Sequence, residues 1–309
     1  MDKKRENTQF IKNLVTGQGF EEVGISKAER LNEEDVRLRQ WLDKGYHGSM
    51  TYMERHFDKR LDPTALVPGA KSVISMIYNY HTDKSQASEE CKVSKYAFGR
   101  DYHKVLKKKL HFILNEIDRI AGPVSGRVFV DSAPVMEKAW AQKSGLGWIG
   151  KNTLLINKRR GSYFFLAEII LDLELLYDEP ETGHCGTCRR CIEACPTGAI
   201  SPEGYELNAA ACISFLTIEN KDAIPVQYKG KMEGYIFGCD ICQQVCPWNR
   251  FATEHNEPEF VPKAEFLNMK KEDWQNLTES QFKELFYGTP VARAKYRGLK
   301  RNIQFACEK

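Results

Sequence analysis

Eight of the ten cysteines lie between Cys185 and Cys246, and their spacing is the first chemistry this 309-residue sequence offers. The stretch "HCGTCRRCIEACP" sets Cys185, Cys188, Cys191 and Cys195 at C-x2-C-x2-C-x3-C, with Pro196 directly after. "CDICQQVCP" repeats part of that pattern as Cys239-x2-Cys242-x3-Cys246-Pro247, and Cys212 stands 27 residues before Cys239. Thiolates so arranged hold [4Fe–4S] clusters, whereas zinc ribbons pair two C-x2-C knuckles and need neither the third cysteine nor the proline. In two-cluster ferredoxins the cysteine before proline ligates the opposite cluster. That rule gives Cys185, Cys188, Cys191 and Cys246 to one cluster and Cys195, Cys212, Cys239 and Cys242 to the other. The two remaining cysteines, Cys91 and Cys307, are expected to be free thiols without a role.

The elements that must position these thiols fall into three stretches. Residues 1–172 predict an α/β domain. "KSVISMIYNY" and "GRVFVD" read as strands, the second ending at Asp131. Leu106, Leu110, Ile113, Ile117 and Ile120 mark one face of a long helix from Asp101. Residues 173–251 are rich in cysteine and turns, as a two-cluster ferredoxin-like domain would be. Residues 252–309 predict a short helical segment with a basic end. The composition is that of a globular protein, 42% hydrophobic and 28% charged. The polar start and the acidic breaks at Glu168, Asp172 and Glu174 in the most apolar run argue against a leader or a membrane span, so a cytoplasmic monomer is expected. A net charge of +3 does not by itself imply nucleic acid.

Two glycine motifs fail on context. "GLGWIG" (Gly145, Gly147, Gly150) matches a dinucleotide fingerprint, and "GLGWIGKN" falls one residue short of a phosphate-binding loop. Both motifs need a strand before and a helix after, and here a helix precedes and a strand follows. The glycines are expected to form a tight turn that lets a large flat ligand approach the backbone.

The long stretches "VDSAPVMEKAWAQKSGLGWIGKNTLLI", "GSYFFLAEI", "GYHGSMTYMERHFDKR", "GRDYHKVLKKKL", "CISFLTIE" and "GTPVARAKYRGLKRNI", together with the cysteines, resemble the epoxyqueuosine reductase family from about Gly45 to Asn302. The resemblance implies a cobalamin-dependent oxidoreductase that removes the epoxide oxygen from epoxyqueuosine at the wobble position of tRNA. Electrons would pass from two [4Fe–4S] clusters to cobalamin bound base-off, with no protein histidine on cobalt. An unidentified low-potential donor would supply them. The family often adds a C-terminal helical-repeat domain, and this chain is expected to stop before one.

Epoxide oxygen is a poor leaving group unless it is protonated as its bond to carbon breaks, so an acid with a raised pKa is required. Asp131 is the candidate, at the C-terminal end of a buried strand where an α/β sheet usually presents its site, and the family's proton donor falls on the same residue; on sequence alone it also reads as an N-cap for the segment after Pro134. The resemblance places Arg60 against the corrin, Lys151, Asn152 and Ser162 in the same pocket, and Tyr102 and His103 on the substrate side. The basic end, with Arg297, Lys300 and Arg301, becomes a candidate tRNA phosphate contact. Two alternatives remain at this point. One is a reductive dehalogenase-like corrinoid enzyme, whose members carry an export signal not seen at the start of this chain. The other is a non-catalytic two-cluster electron-transfer protein.

Overall fold

The computed structural model describes residues 3–307. Four strands, β1 (Glu22–Lys27), β2 (Ser72–Asn79), β3 (Gly126–Phe129) and β4 (Phe164–Leu171), form a sheet in the order β1-β2-β4-β3. Every neighbouring pair is antiparallel. The α/β expectation is corrected accordingly: helices cover both faces, but no parallel crossover is present in this sheet. The rule that parallel sheets present their sites at strand C-termini therefore does not locate Asp131. The strand in fact closes at Phe129, two residues earlier than expected.

Strand alternation sends β2 and β4 side chains to two cores. On one face, Ile74, Met76, Ala167 and Ile169 meet α1 (Lys3–Gly17) and α3 (Tyr102–Ala121) through Ile11, Val15, Leu106, Leu110, Ile113 and Ile117. Ile120 does not join them; it lies in the last turn of α3 and is 46% exposed. The opposite face receives α4 (Glu137–Lys143) through Trp140 and Ala141. Gly24 of β1 is required there, because a Cβ on it would stand 2.0 Å from the Ser144 carbonyl at the end of α4.

The three expected domains are not packed as three units. Cys91, Val93 and Phe98 share one core with Ile236 and Phe237 and with Phe266, Trp274 and Ile303 near the C-terminus. Lys92–Val93 pairs in parallel with Tyr235–Phe237, and α5 (Lys295–Cys307) lies against that strand. The same core corrects the reading of the two spare cysteines. Cys91 and Cys307 are both buried and are joined to each other in a disulfide. Among the described residues, no helix is long and apolar enough to cross a membrane.

Candidate active site

The cysteine thiols lie close enough to act on one another. Cys191 is influenced by Cys185, Cys188 and Cys246, Cys239 by Cys212 and Cys195, and Cys242 by Cys239, Cys212 and Cys195 and also by Cys191. Short turns present them: Arg190–Glu193 carries Cys191, and Ile241–Gln244 carries Cys242. Among the described residues, no three His, Cys, Asp or Glu side chains converge on a single-ion site.

The two sets have different surroundings. Cys246 borders an open crevice of about 860 Å³ with Arg190, Arg250 and Tyr163. Cys195, Cys212, Cys239 and Cys242 line one side of a more enclosed cavity of about 370 Å³. Its other walls include Tyr96, Lys138, Asn152 and Ser162, and no lining residue is a histidine. Burial pushes the Cys212, Cys239 and Cys242 thiols up, as expected for sulfurs removed from water.

The cavity residues named from sequence divide. Asn152 is buried, reaches the Cys242 carbonyl at 3.4 Å and lines the inner cavity. Ser162 is also buried there and accepts a hydrogen bond from Gln243 at 3.3 Å. Lys151 does not belong with them: its ammonium donates to the carbonyls of Gly186 and Cys188 at 2.7 and 3.0 Å, tying down the outer cysteine loop. Gly147 makes room for this chain's own backbone, not for a ligand, because a Cβ would stand 2.2 Å from the Ile156 carbonyl. Arg60, on α2 (Phe57–Leu61), is buried and donates to the Tyr52 carbonyl at 2.8 Å. Its Nε has no partner, a buried donor left for a polar group.

Asp131 follows the end of β3, with a left-handed φ of 54° and a side chain 55% exposed. It caps nothing, since α4 begins six residues later. The Tyr102 hydroxyl donates to Asp131 Oδ2 at 2.5 Å, and His103 Nε2 lies 3.4 Å from the same oxygen. Asp101 caps α3 and holds His103 Nδ1 at 2.7 Å. Tyr102 is only partly on the substrate side: its ring is buried, stacked on Phe165 with centroids 4.0 Å apart, and only the hydroxyl reaches the site.

The electrostatics correct the expected protonation. Burial pushes the Asp131 carboxyl up, but hydrogen bonds from His103 and Tyr102 outweigh it and leave the group below the usual carboxylate range. Burial pulls His103 down, and the two flanking aspartates overcome that, raising it to about 9. The resting proton therefore sits on the imidazole, one hydrogen bond away from Asp131.

Sequence reading missed two neighbours, Glu137 and Glu168. Glu137 opens α4, and its Oε1 accepts the Asp131 backbone N–H at 2.5 Å. Glu168, in the middle of β4, is fully buried beneath it. A glutamate inside the apolar run "FFLAEIIL" was the available signal.

The basic end is mostly committed elsewhere. Arg301 donates to the carbonyls of Leu216, Asn220 and Asp222, and Lys300 to that of Gln275. Those two are internal ties, so as phosphate contacts they are corrected; Arg297 alone of the three is exposed. Arg293, paired with Glu219 at 2.7 Å, is the nearer cation, for its charge acts on Asp131.

Comparison with known proteins agrees with this geometry. Residues 60–132 match the family model described as epoxyqueuosine reductase QueG, DUF1730, and residues 184–249 match the 4Fe-4S double cluster binding domain. An epoxyqueuosine reductase of Leadbetterella byssophila is 53% identical over 98% of this chain and 99% of its own length. The enzyme of Pseudomonas aeruginosa is 44% identical over 96% of this chain and 83% of its own. Among solved structures, an epoxyqueuosine reductase with an epoxyqueuosine-modified tRNA-Tyr stem loop superposes with a TM-score of 0.88 at 28% identity, covering 97% of this chain and 81% of that one. The Bacillus subtilis enzyme, described with its catalytic aspartate loop swung out of the active site, gives 0.87 at 28% identity, with the same coverage of 97% and 81%. A catabolic reductive dehalogenase shares the fold alone, at 16% identity and a TM-score of 0.51 over 98% of this chain and 37% of that one. The chain belongs to the epoxyqueuosine reductases, and it is an oxidoreductase.

Proposed function

We propose that this chain reduces epoxyqueuosine in tRNA to queuosine, with electrons entering from the cysteine wall of the inner cavity and protons from Asp131. The observation that carries the reading is that one cavity is bounded by Cys195, Cys212, Cys239 and Cys242, while its Tyr96 wall faces Tyr102, the residue bonded to Asp131. The residues fit two clusters, one per cysteine set. A cobalamin would have to extend well beyond the inner cavity of about 370 Å³, with only part of it against the cysteine wall. Asn152 and Ser162 would offer it polar contacts there, and Arg60, which does not line that cavity, keeps an unpartnered donor. When bound, that cofactor supplies a strong reductant toward the strained ring.

The rest is done by side chains. Removing the oxygen breaks two C–O bonds and consumes two electrons and two protons, leaving an alkene and water. His103 loads Asp131 with a proton across their shared contact, and Asp131 passes each proton to the leaving oxygen. Asp101 keeps the imidazole charged and aimed. Tyr102 fixes Oδ2 and excludes a competing rotamer. Arg293 and Arg297 stand where tRNA phosphates would approach, and the exposed crevice beside Arg190 and Arg250 is where a low-potential electron donor would dock.

The test is anaerobic incubation of metal-loaded protein with cobalamin, a strong reductant and tRNA carrying epoxyqueuosine, followed by nucleoside mass spectrometry. Loss of one oxygen mass is expected. Unchanged nucleoside with both clusters reduced would overturn the reading.

A further inference from the structure

Glu168 is fully buried, and neither of its carboxyl oxygens receives a hydrogen bond from any N–H or O–H. Its row across the sheet is Gly24, Ser75, Glu168 and Phe129, which offers one hydroxyl, also unpartnered. The carboxyl that meets Glu168 is that of Glu137. Two carboxylates are both acceptors and cannot hold each other without a proton between them. Glu137 meanwhile accepts the backbone N–H of Asp131, a residue in a conformation that side-chain-bearing residues rarely adopt. The loop's other side-chain ties are those of Tyr102 and His103 to the Asp131 carboxyl and an exposed one from Lys107 to Ser132 at 3.1 Å.

We propose that Glu137 and Glu168 share one buried proton and thereby latch the Asp131 loop in its working position, so that the pair acts as a positioning device. The proposal rests on Asp131 being the acid. With the proton present, Glu168 donates to Glu137, and Glu137 stays under the Asp131 amide. With it gone, two buried anions repel and Glu137 is driven from its place. The charged and titratable groups facing the pair are Asp131, His103, Tyr102 and Lys138. Burial and the Asp131 charge raise Glu137 to about 8, and burial with the Glu137 charge takes Glu168 well above its ordinary value. The latch is therefore closed at neutral pH and opens as pH rises.

The test is hydrogen–deuterium exchange of the peptide spanning residues 130–134 in the metal-loaded protein, corrected for the chemical effect of pH. Wild-type protection should fall by about tenfold between neutral pH and pH about 9.5. Glu168→Gln donates permanently and should keep its protection across that range. Glu137→Ala should exchange about tenfold faster at every pH, with kcat lowered and KM for tRNA little changed. Asp131→Asn should stop turnover yet keep a pH-dependent loss of protection, moved to lower pH because the Asp131 charge no longer helps hold the Glu137 proton, which separates failure of the acid assignment from failure of the latch. Wild-type pH dependence in Glu168→Gln, or wild-type exchange in Glu137→Ala, would overturn the proposal. If Glu137→Ala does not fold, Glu168→Gln alone decides.

Discussion

On one side of the inner cavity, Cys195, Cys212, Cys239 and Cys242 hang from short turns within a single stretch of chain. Beyond the cavity's Tyr96 wall, Asp131 meets Tyr102, His103 and Glu137, which come from the start of α3 and the start of α4. The cysteine wall has to hold a rigid electron carrier near its target, and direct contact is not needed for an electron to move. The acid wall has to hand over a proton, which requires hydrogen-bond contact at about 2.6–3.2 Å with the leaving atom. So the first is local and enclosed. The second is assembled from distant segments and partly open, with Asp131 on a left-handed, half-exposed turn.

Substitutions on the two walls should fail in different ways. Asp131→Asn is expected to lower kcat by about 10³-fold while iron and cobalamin content stay at wild-type levels, read by nucleoside mass spectrometry beside metal analysis. Cys242→Ala should also stop turnover, but with loss of the inner cluster's iron and its signal in electron paramagnetic resonance; full iron content would break the contrast. His103→Gln should show a smaller, pH-dependent effect. The folded pKa of His103 is raised to about 9, so its stabilising contribution is full below its ordinary value near 6.5 and disappears as pH rises through about 9. The stability gap between wild type and variant, about 2 kcal/mol at pH about 6, should therefore close by pH about 10 in denaturant titrations. The smallest effects lie outside both walls. Arg297→Glu should lessen the salt dependence of tRNA binding by about one unit of slope. Lys300→Ala should lower the melting temperature by a few degrees and leave that slope alone, because its ammonium is already bonded to the Gln275 carbonyl.

The same contrast explains what could be read in advance. Cluster ligands repeat at fixed short intervals, because one rigid group must be gripped by neighbouring turns, and so the double-cluster domain was visible as spacing. The long helix was visible as an apolar repeat that holds as far as Ile117. Asp131 was named from a strand end that the structure places two residues earlier and from family resemblance, and its environment was not nameable at all. Nothing in "VDSAP" says that Tyr102 and His103 will lower its pKa, because their contact is made by the packing of α3 beside β3. Lys151 and Arg301 were misplaced for a related reason. A cation in a sequence shows its charge, but not whether a carbonyl of its own chain will claim it. The domain boundaries blurred because Val93 and Ile303 lie far apart in the chain yet bury the same apolar surface.

Asn302 sits fully buried in α5, and its amide donates to the carbonyls of Thr217 and Ile236 at 2.8 Å each. Those carbonyls belong to the segment between Cys212 and Cys239. The clamp on the inner cysteine pocket is thus made by a helix that lies beyond it in the chain. The pocket is complete only once that helix has folded back against it.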